Sequence, residues 1–385
     1  MAEEVVLPIP NLELPQHQFV LSKPQFSELH NDAKQQLLAG IEKDKMAPYY
    51  RLVTSSGALP LDSSLLESLE KANKEELEKL DERLAEAEKI EGESDIADAL
   101  RARANYFTQI GEKEKALEAQ KIALEKTAGL GSKIDIALTM IRIGLFFGDN
   151  TLIQDYMAKA EEMVEQGGDW DRRNRLKVYR GLHLLSIRQF KRAGELLLDA
   201  LSTFTATELI SYNDFVALTV ISNVLTLSRP DLKKKLIAAP EVNQVLPELP
   251  LLADLIKSLY DAHYDKFFVA LAKVEQTMLL PSRMLSAHSR YYVREMRILA
   301  YNQLLQSYRS LTLDSMARSF GVSIEFIDTE LSRFIASGRL HCTIDKVEGV
   351  VETNRPALKN AQYETVVRQG DILLNSVQRL SKVLY

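Results

Sequence analysis

Residues 311–352, LTLDSMARSFGVSIEFIDTELSRFIASGRLHCTIDKVEGVVE, leave the fewest options open. Thr312 suits a helix N-cap, because its side-chain oxygen can accept an unpaired backbone N–H of the first turn. Leu313, Met316, Ala317 and Phe320 follow at helical spacing and give one apolar face. Gly321 supplies the positive φ that ends a helix. Ser323 then caps a second helix, whose stripe is Ile324, Ile327, Leu331, Phe334 and Ile335, and Gly338 stops it. Past Gly338 the period drops from about 3.6 to 2. Leu340, Cys342 and Ile344 alternate with Arg339, His341, Thr343 and Asp345, so residues 339–345 read as a half-buried strand. Residues 346–349 make a turn, and residues 350–353 a returning strand. Helix, turn, helix, hairpin is the order of a winged helix.

What precedes it is helical. Residues 62–91 spell a strong helix in which Glu and Lys alternate, with a thin stripe of Leu66, Leu77, Leu80, Leu84 and Ala87 and with Asn73 in the same register. From residue 94 a weak internal repeat begins. In 99–125, Ala104 and Phe107 mark a first helix, Gly111 a turn, and Ala116 and Ala123 a second helix. Small residues at those places let two antiparallel helices approach closely. A second unit centres on Gly148, with Ile153, Met157 and Ala160. A third carries Gly181 and Leu184, then Ala193, Leu197 and Ala200 after a turn near Arg188. A degenerate fourth centres on His263, with Phe267, Leu271 and Val274. The units resemble tetratricopeptide repeats with drifting spacing, so a helical-pair solenoid is expected. Pro230, Pro240, Pro247 and Pro250 break 228–250 into short helices and loops.

The two ends differ. Residues 1–25 carry Pro8, Pro10, Pro15 and Pro24 and read as an extended arm. Its apolar Val5, Val6, Leu7, Ile9, Leu12 and Leu14 suit packing on the chain's own domain or on a partner. Residues 26–45 read as a helix and 46–61 as a connection. Residues 356–385 read as one more helix, with Val366, Gly370, Leu373, Val377, Leu380 and Leu384 alternating steps of four and three, an a/d seam interrupted by Gly370. The seam suits packing on the winged helix or against helices of other chains.

Chemistry is harder to find. The six histidines form no HExxH, no GxSxG elbow is present, and AGLGSK at 128–133 lacks the Gly-Lys-Ser/Thr order of a phosphate loop. No catalytic, cofactor or metal residues are expected. The single cysteine, Cys342, cannot form an internal disulfide, which fits a reducing compartment. No run of 18 apolar residues is present, so no membrane span is expected. The acidic start MAEE is unlike a secretory signal, so the cytoplasm and nucleus are the expected compartments. Winged helices often bind DNA, yet the second helix carries Glu325, Asp328 and Glu330 against one Arg333, and the net charge is −6. Phosphate contacts need cations, so no nucleic-acid partner is expected; a nucleic-acid-binding winged helix is the reading left over.

A helical solenoid ending in a winged helix resembles the PCI family. SLTLDSMARSFGVS, the helix through RFIASGRL, and CTIDKVEGVV carry the likeness, with Ile335, Gly338, Leu340, Ile344 and Asp345 close to the family pattern. The N-terminal LPIPNLELPQHQFVLS, the charged helix before the repeats, and GEKEKALEAQKIALEKTAGLGSKIDIALTMIRIGLFFGDN resemble the PCI subunits of the 26S proteasome lid over the whole chain. The PCI subunits of the signalosome are the alternative. The resemblance implies a non-catalytic scaffold in a hetero-oligomer. Its partners would be other PCI subunits of the lid, with the ATPase ring a further candidate. It also implies a mostly α chain: residues 1–61 an N-terminal extended arm and helix, 62–240 TPR-like repeats, 241–355 a PCI module with the winged helix at 311–353, and 356–385 a C-terminal bundle helix. Winged helices of the family pack side by side, which assigns Ile344, Val347, Val350 and Val351 to partner contact. C-terminal helices gather into a bundle, which assigns Leu373, Val377, Leu380 and Leu384.

Overall fold

Proline decides where the first helices begin. The computed structural model describes residues 6–90, 92–354 and 358–384, without the side chains of Leu358, Ala361, Val383 and Leu384; Val5 of the arm therefore lies outside the described residues. Residues 6–10 are non-helical, as expected, but α1 (Glu13–Leu21) is not. Pro15 sits in its first turn, where a missing N–H breaks no bond, so four prolines do not keep the whole arm extended. The expected helix at 26–45 is split. A 3₁₀ turn covers Pro24–Leu29, Phe26 leaves helical dihedrals (φ −108°, ψ 30°), and α2 runs over His30–Lys43. The expected connection at 46–61 contains α3 (Ala47–Ser55), again with proline in the first turn. Tyr49, Tyr50 and Val53 bury there, and the drive to bury two aromatic rings outweighs the Pro and Ser signals. α4 (Ser63–Ile90) follows as expected. Its Leu66, Leu77, Leu80 and Leu84 are half-buried, whereas Leu69, Asn73 and Ala87 are buried. The Tyr106 hydroxyl donates to Asn73 Oδ1 at 3.1 Å.

The chain divides into two compact units, residues 1–260 with 269–293, and residues 261–268 with 294–385. The first holds the helical pairs. α5 (Glu93–Gln109) and α6 (Lys113–Lys126) turn at Gly111, and α7 (Leu130–Phe147) and α8 (Asn150–Gly167) turn at Gly148. α9 (Trp170–Ser186) and α10 (Phe190–Asp199) turn at Arg188, followed by α11 (Tyr212–Thr226). Gly111, Gly148 and Arg188 have φ of 76°, 73° and 66°. Small residues set the closeness of the pairs. A Cβ on Gly181 would lie 2.6 Å from Leu197 Cδ2, and one on Gly144 2.7 Å from Ile153 Cγ1. The short α12 (Arg229–Leu232) and α13 (Pro240–Val245) lead to α14 (Pro250–Tyr260), α15 (Tyr264–Val274) and α16 (Ser289–Ser307). Leu271 and Val274 are buried in the first unit, and Phe267, earlier on α15, in the second.

A polar chain runs through this apolar interior. Arg142, 1% exposed, donates from Nε to the Ile9 carbonyl (2.8 Å), from Nη1 to the Tyr179 hydroxyl (2.8 Å) and from Nη2 to Thr139 Oγ1 (2.8 Å). The Tyr179 hydroxyl in turn donates to Glu208 Oε1 at 3.0 Å, and burial pushes its pKa well above the usual range. The buried cation and the buried carboxylate thus meet through a neutral phenol. Nearby, Arg283 donates to the Leu145 and Phe146 carbonyls (3.1 and 3.0 Å), closing the end of α7. Gln16 of α1 donates to the Pro281 carbonyl (2.7 Å) and accepts from the Arg283 N–H (2.8 Å).

The second unit is the winged helix with its supporting helices. β1 (Ser310–Thr312), α17 (Leu313–Phe320), α18 (Ile324–Ala336), β2 (Cys342–Asp345) and β3 (Val350–Thr353) follow in order, and α19 (Leu358–Leu384) ends the described chain. Both caps form: Ser315 N–H donates to Thr312 Oγ1 and Phe326 N–H to Ser323 Oγ, each at 3.2 Å. Gly321 and Gly338 have φ of 66° and 67°. The sheet has three antiparallel strands in the order β1-β3-β2, with Leu311 and Ile344 both opposite Val351. β1 was not expected, since three residues carry no period of their own. β2 is also shorter than the 339–345 read from alternation. Beneath the sheet, Phe320 packs on Tyr264, Phe268 and Tyr301 at centroid distances of 4.7–4.9 Å.

Candidate functional site

Burial divides the eight assigned partner residues. On the wing, Val351 is wholly buried on the central strand and closes the unit's own core, so it has no surface for another chain. Ile344 and Val350 are half-buried. Val347 is 96% exposed at the tip of the turn, where the Asp345 carboxylate accepts its N–H at 2.8 Å and holds the side chain outward. On α19, Leu373, Val377 and Leu380 are all exposed; Leu384 ends the helix, and its side chain lies outside the described residues. Every described side chain of α19 is exposed, so within this chain the seam has no cover. Of the two packings its sequence allowed, the one against the chain's own winged helix is not formed.

Sequence reasoning missed part of each surface. Ile324, assigned to the core stripe of α18, is 46% exposed, and Phe326 is exposed beside it. The first turn of α18 lies before the helix reaches the core, which Ile327, Leu331 and Phe334 fill. On α19, Tyr363, Val367 and Leu374 are exposed too. Val367 and Leu374 are one heptad apart and flank the seam, so the apolar face is broader than an a/d stripe. Their spacing was readable; a strict a/d template hid it.

Electrostatics reshape the second helix of the wing. Glu330 pairs with Arg297 and accepts from the Tyr301 hydroxyl, whose pKa is pushed far up by burial and then by that carboxylate. Asp328 pairs with Lys346 at 3.0 Å. Arg339 pairs with Glu295 of α16. Two of the three acids on α18 are therefore spent inside the unit, holding helix to helix and helix to wing. What α18 shows outward near its start is Ile324, Glu325 and Phe326, a mostly apolar surface with no cation for a phosphate. The Cys342 thiol is buried, and burial raises its pKa, so it is protonated at neutral pH. Among the described residues, no three His, Cys, Asp or Glu side chains gather as a metal site, and no helix is long and apolar enough to cross a membrane.

A winged helix with exposed apolar residues and an uncovered helix after it match known families. Residues 251–355 match the PCI domain, 62–235 the 26S proteasome subunit RPN7, and 362–384 the C-terminal helix of the 26S proteasome regulatory subunit RPN7/PSMD6. A 26S proteasome non-ATPase regulatory subunit 6 homolog of Arabidopsis thaliana is 46% identical over 376 residues, 97% of each chain. The chain belongs to the RPN7 family of 26S proteasome subunits. The 26S proteasome regulatory subunit rpn7 of Schizosaccharomyces pombe is 42% identical over 378 residues, 96% of this chain and 95% of that one. The RPN7 subunit of Saccharomyces cerevisiae is 38% identical over 396 residues, 96% and 92%. The matched segments fall, in order, on the helical pairs, the winged helix with its supporting helices, and the terminal helix of this mostly α chain.

Proposed function

We propose that this chain is a non-catalytic scaffold subunit of the proteasome lid, serving ubiquitin-dependent protein degradation through the contacts it makes. It joins other PCI subunits side by side through Val347, Ile344, Val350, Ile324 and Phe326, and joins a helical bundle through Leu373, Val377, Leu380 and Leu384. The ATPase ring is a further neighbour, and the cytoplasm and nucleus are its compartments. Working divisions are 1–61, 62–240, 241–355 and 356–385. The observation that carries the reading is α19, a 27-residue helix whose described apolar side chains are all exposed. A helix that buries nothing within its own chain gets its tertiary stabilisation from others. The family's proteasome names favour the lid over the signalosome. Pairing of Glu330 and Asp328 within the unit, and exposed Ile324 and Phe326 at the start of α18, favour protein over nucleic acid as the partner.

A native pull-down of the tagged chain, with mass spectrometry and a peptidase assay of the eluate, tests this. Other lid subunits together with ATP-stimulated peptide cleavage are expected. Recovery of a free 43.5 kDa chain would refute it, and signalosome components would move the function to that complex.

A further inference from the structure

Seven apolar residues of α19, Tyr363, Val366, Val367, Leu373, Leu374, Val377 and Leu380, are 57–69% exposed. They share one side of the helix, so the free chain shows a contiguous apolar patch above the few hundred Å² that a soluble monomer usually carries. Tyr363, Gly370 and Val377 fall at a, Val366, Leu373 and Leu380 at d, and Val367 and Leu374 at e. Between residues 360 and 384 every charge (Glu364, Arg368, Asp371, Arg379, Lys382) lies at b, c or f. The e and g positions, which choose a coiled coil's partner by sign, therefore hold no repulsion against an identical helix and no preference for a different one.

The seam is also complementary to itself in shape. In a parallel pair in register, Gly370 would face Gly370 and leave a gap in the middle of the seam, and Tyr363 would crowd Tyr363. Turned antiparallel about a point between Asp371 and Ile372, each Gly370 receives Leu373 of the other copy, Val366 meets Val377, and Tyr363 meets Leu380. Every contact occurs twice, the closed two-fold arrangement of a homodimer. Apart from its chain neighbours, no described side chain lies within 4 Å of where a Cβ on Gly370 would sit, so the space over it is open to that leucine. Opposed helix dipoles favour the same orientation. Covering both patches buries roughly 1,500 Å², the size of a standard specific interface. We propose that the free chain is a homodimer closed by antiparallel pairing of α19, the second copy covering the seam until an assembly takes it. The pairing involves this chain alone and stands whether or not the lid reading holds.

Sedimentation of the purified full chain at tens of micromolar tests this. A mass of twice 43.5 kDa is expected. Leu373→Glu with Leu380→Glu is expected to return the chain to the monomer mass with its melting temperature kept, since both residues are exposed. Orientation is read with a short thiol crosslinker, Cys342 being buried and left in place. Val366→Cys chains mixed with Val377→Cys chains are expected to crosslink. Neither variant is expected to crosslink with itself, because antiparallel pairing sets the two copies of either position about 16 Å apart along the helix. A monomer, a larger oligomer, a dimer that survives the leucine variant, a mixture that does not crosslink, or either cysteine variant crosslinking with itself would overturn the proposal.

Discussion

Replacing Leu373 and Leu380 of α19 with glutamate separates folding from assembly. These two residues are 68% and 62% exposed in the free chain. Burying a leucine fully is worth about 1.5–3 kcal/mol. About two thirds of that is still to be gained on docking, so the pair contributes roughly 2–4 kcal/mol to assembly. At 1.4 kcal/mol per decade, losing it weakens association by about 30- to 1,000-fold, before the desolvation of two carboxylates is added. The isolated chain loses almost nothing, because exposed substitutions stay within about 0.5 kcal/mol and leucine and glutamate have similar helix propensity. Two assays read the two sides: thermal melting of the purified variant, and its share of the assembly by native gel or sedimentation. The expected result is a melting temperature within about 2 °C of wild type and absence from the large complex. Asn375→Glu with Gln378→Glu, away from the seam on the same helix, is the matched control and should assemble. Normal incorporation of the leucine variant, or equal failure of the control, would refute the argument that this seam drives assembly.

Two further outcomes concern the first unit. Gly181→Ala should destabilise by about 1–2 kcal/mol despite alanine's better helix propensity, because its Cβ would meet Leu197 Cδ2 at 2.6 Å; chemical denaturation should show this penalty vanish in a Leu197→Ala background, and simple additivity would exclude the contact. Burial lowers the pKa of His183, whose Nδ1 has no hydrogen-bond partner. A histidine held neutral in the fold contributes full stability above the unfolded value near 6.5 and loses it as pH falls below that. The urea midpoint should therefore drop from pH 7.5 to 5.5, and drop less in His183→Gln; identical pH dependence in the two would rule the group out.

The winged helix was legible because its signals are local: a threonine cap, a serine cap, two glycines with positive φ, and a change of period. The helical pairs were legible for the same reason, since Gly111, Gly148 and Arg188 mark turns whose flanking residues repeat. The N-terminal elements were not. Pro15 of α1 and Pro48 of α3 are of a type that breaks helices, and only their place in a first turn makes them compatible with a helix start, a fact set by where each helix begins. β1 exists through pairing with a strand some 40 residues later, so no pattern within it could announce it. Ile324 was misassigned because a stripe template continues a helix face beyond the point where the core stops. The division of wing residues into core and surface depended on strand order: Val351 is central because β1 takes the far side of β3, and adjacent Val350 faces the other way.

The chain of Arg142, Tyr179 and Glu208 constrains how this part of the protein can drift. Changing any one member leaves another with a buried charge or an unmet hydroxyl, while exchanging all three for apolar residues of similar volume removes both buried charges and leaves the Ile9 carbonyl as the group that loses its donor. The three positions, spread over 67 residues of sequence, are therefore expected to change together. A lineage crosses from the charged version to an apolar one only through intermediates less stable than either end.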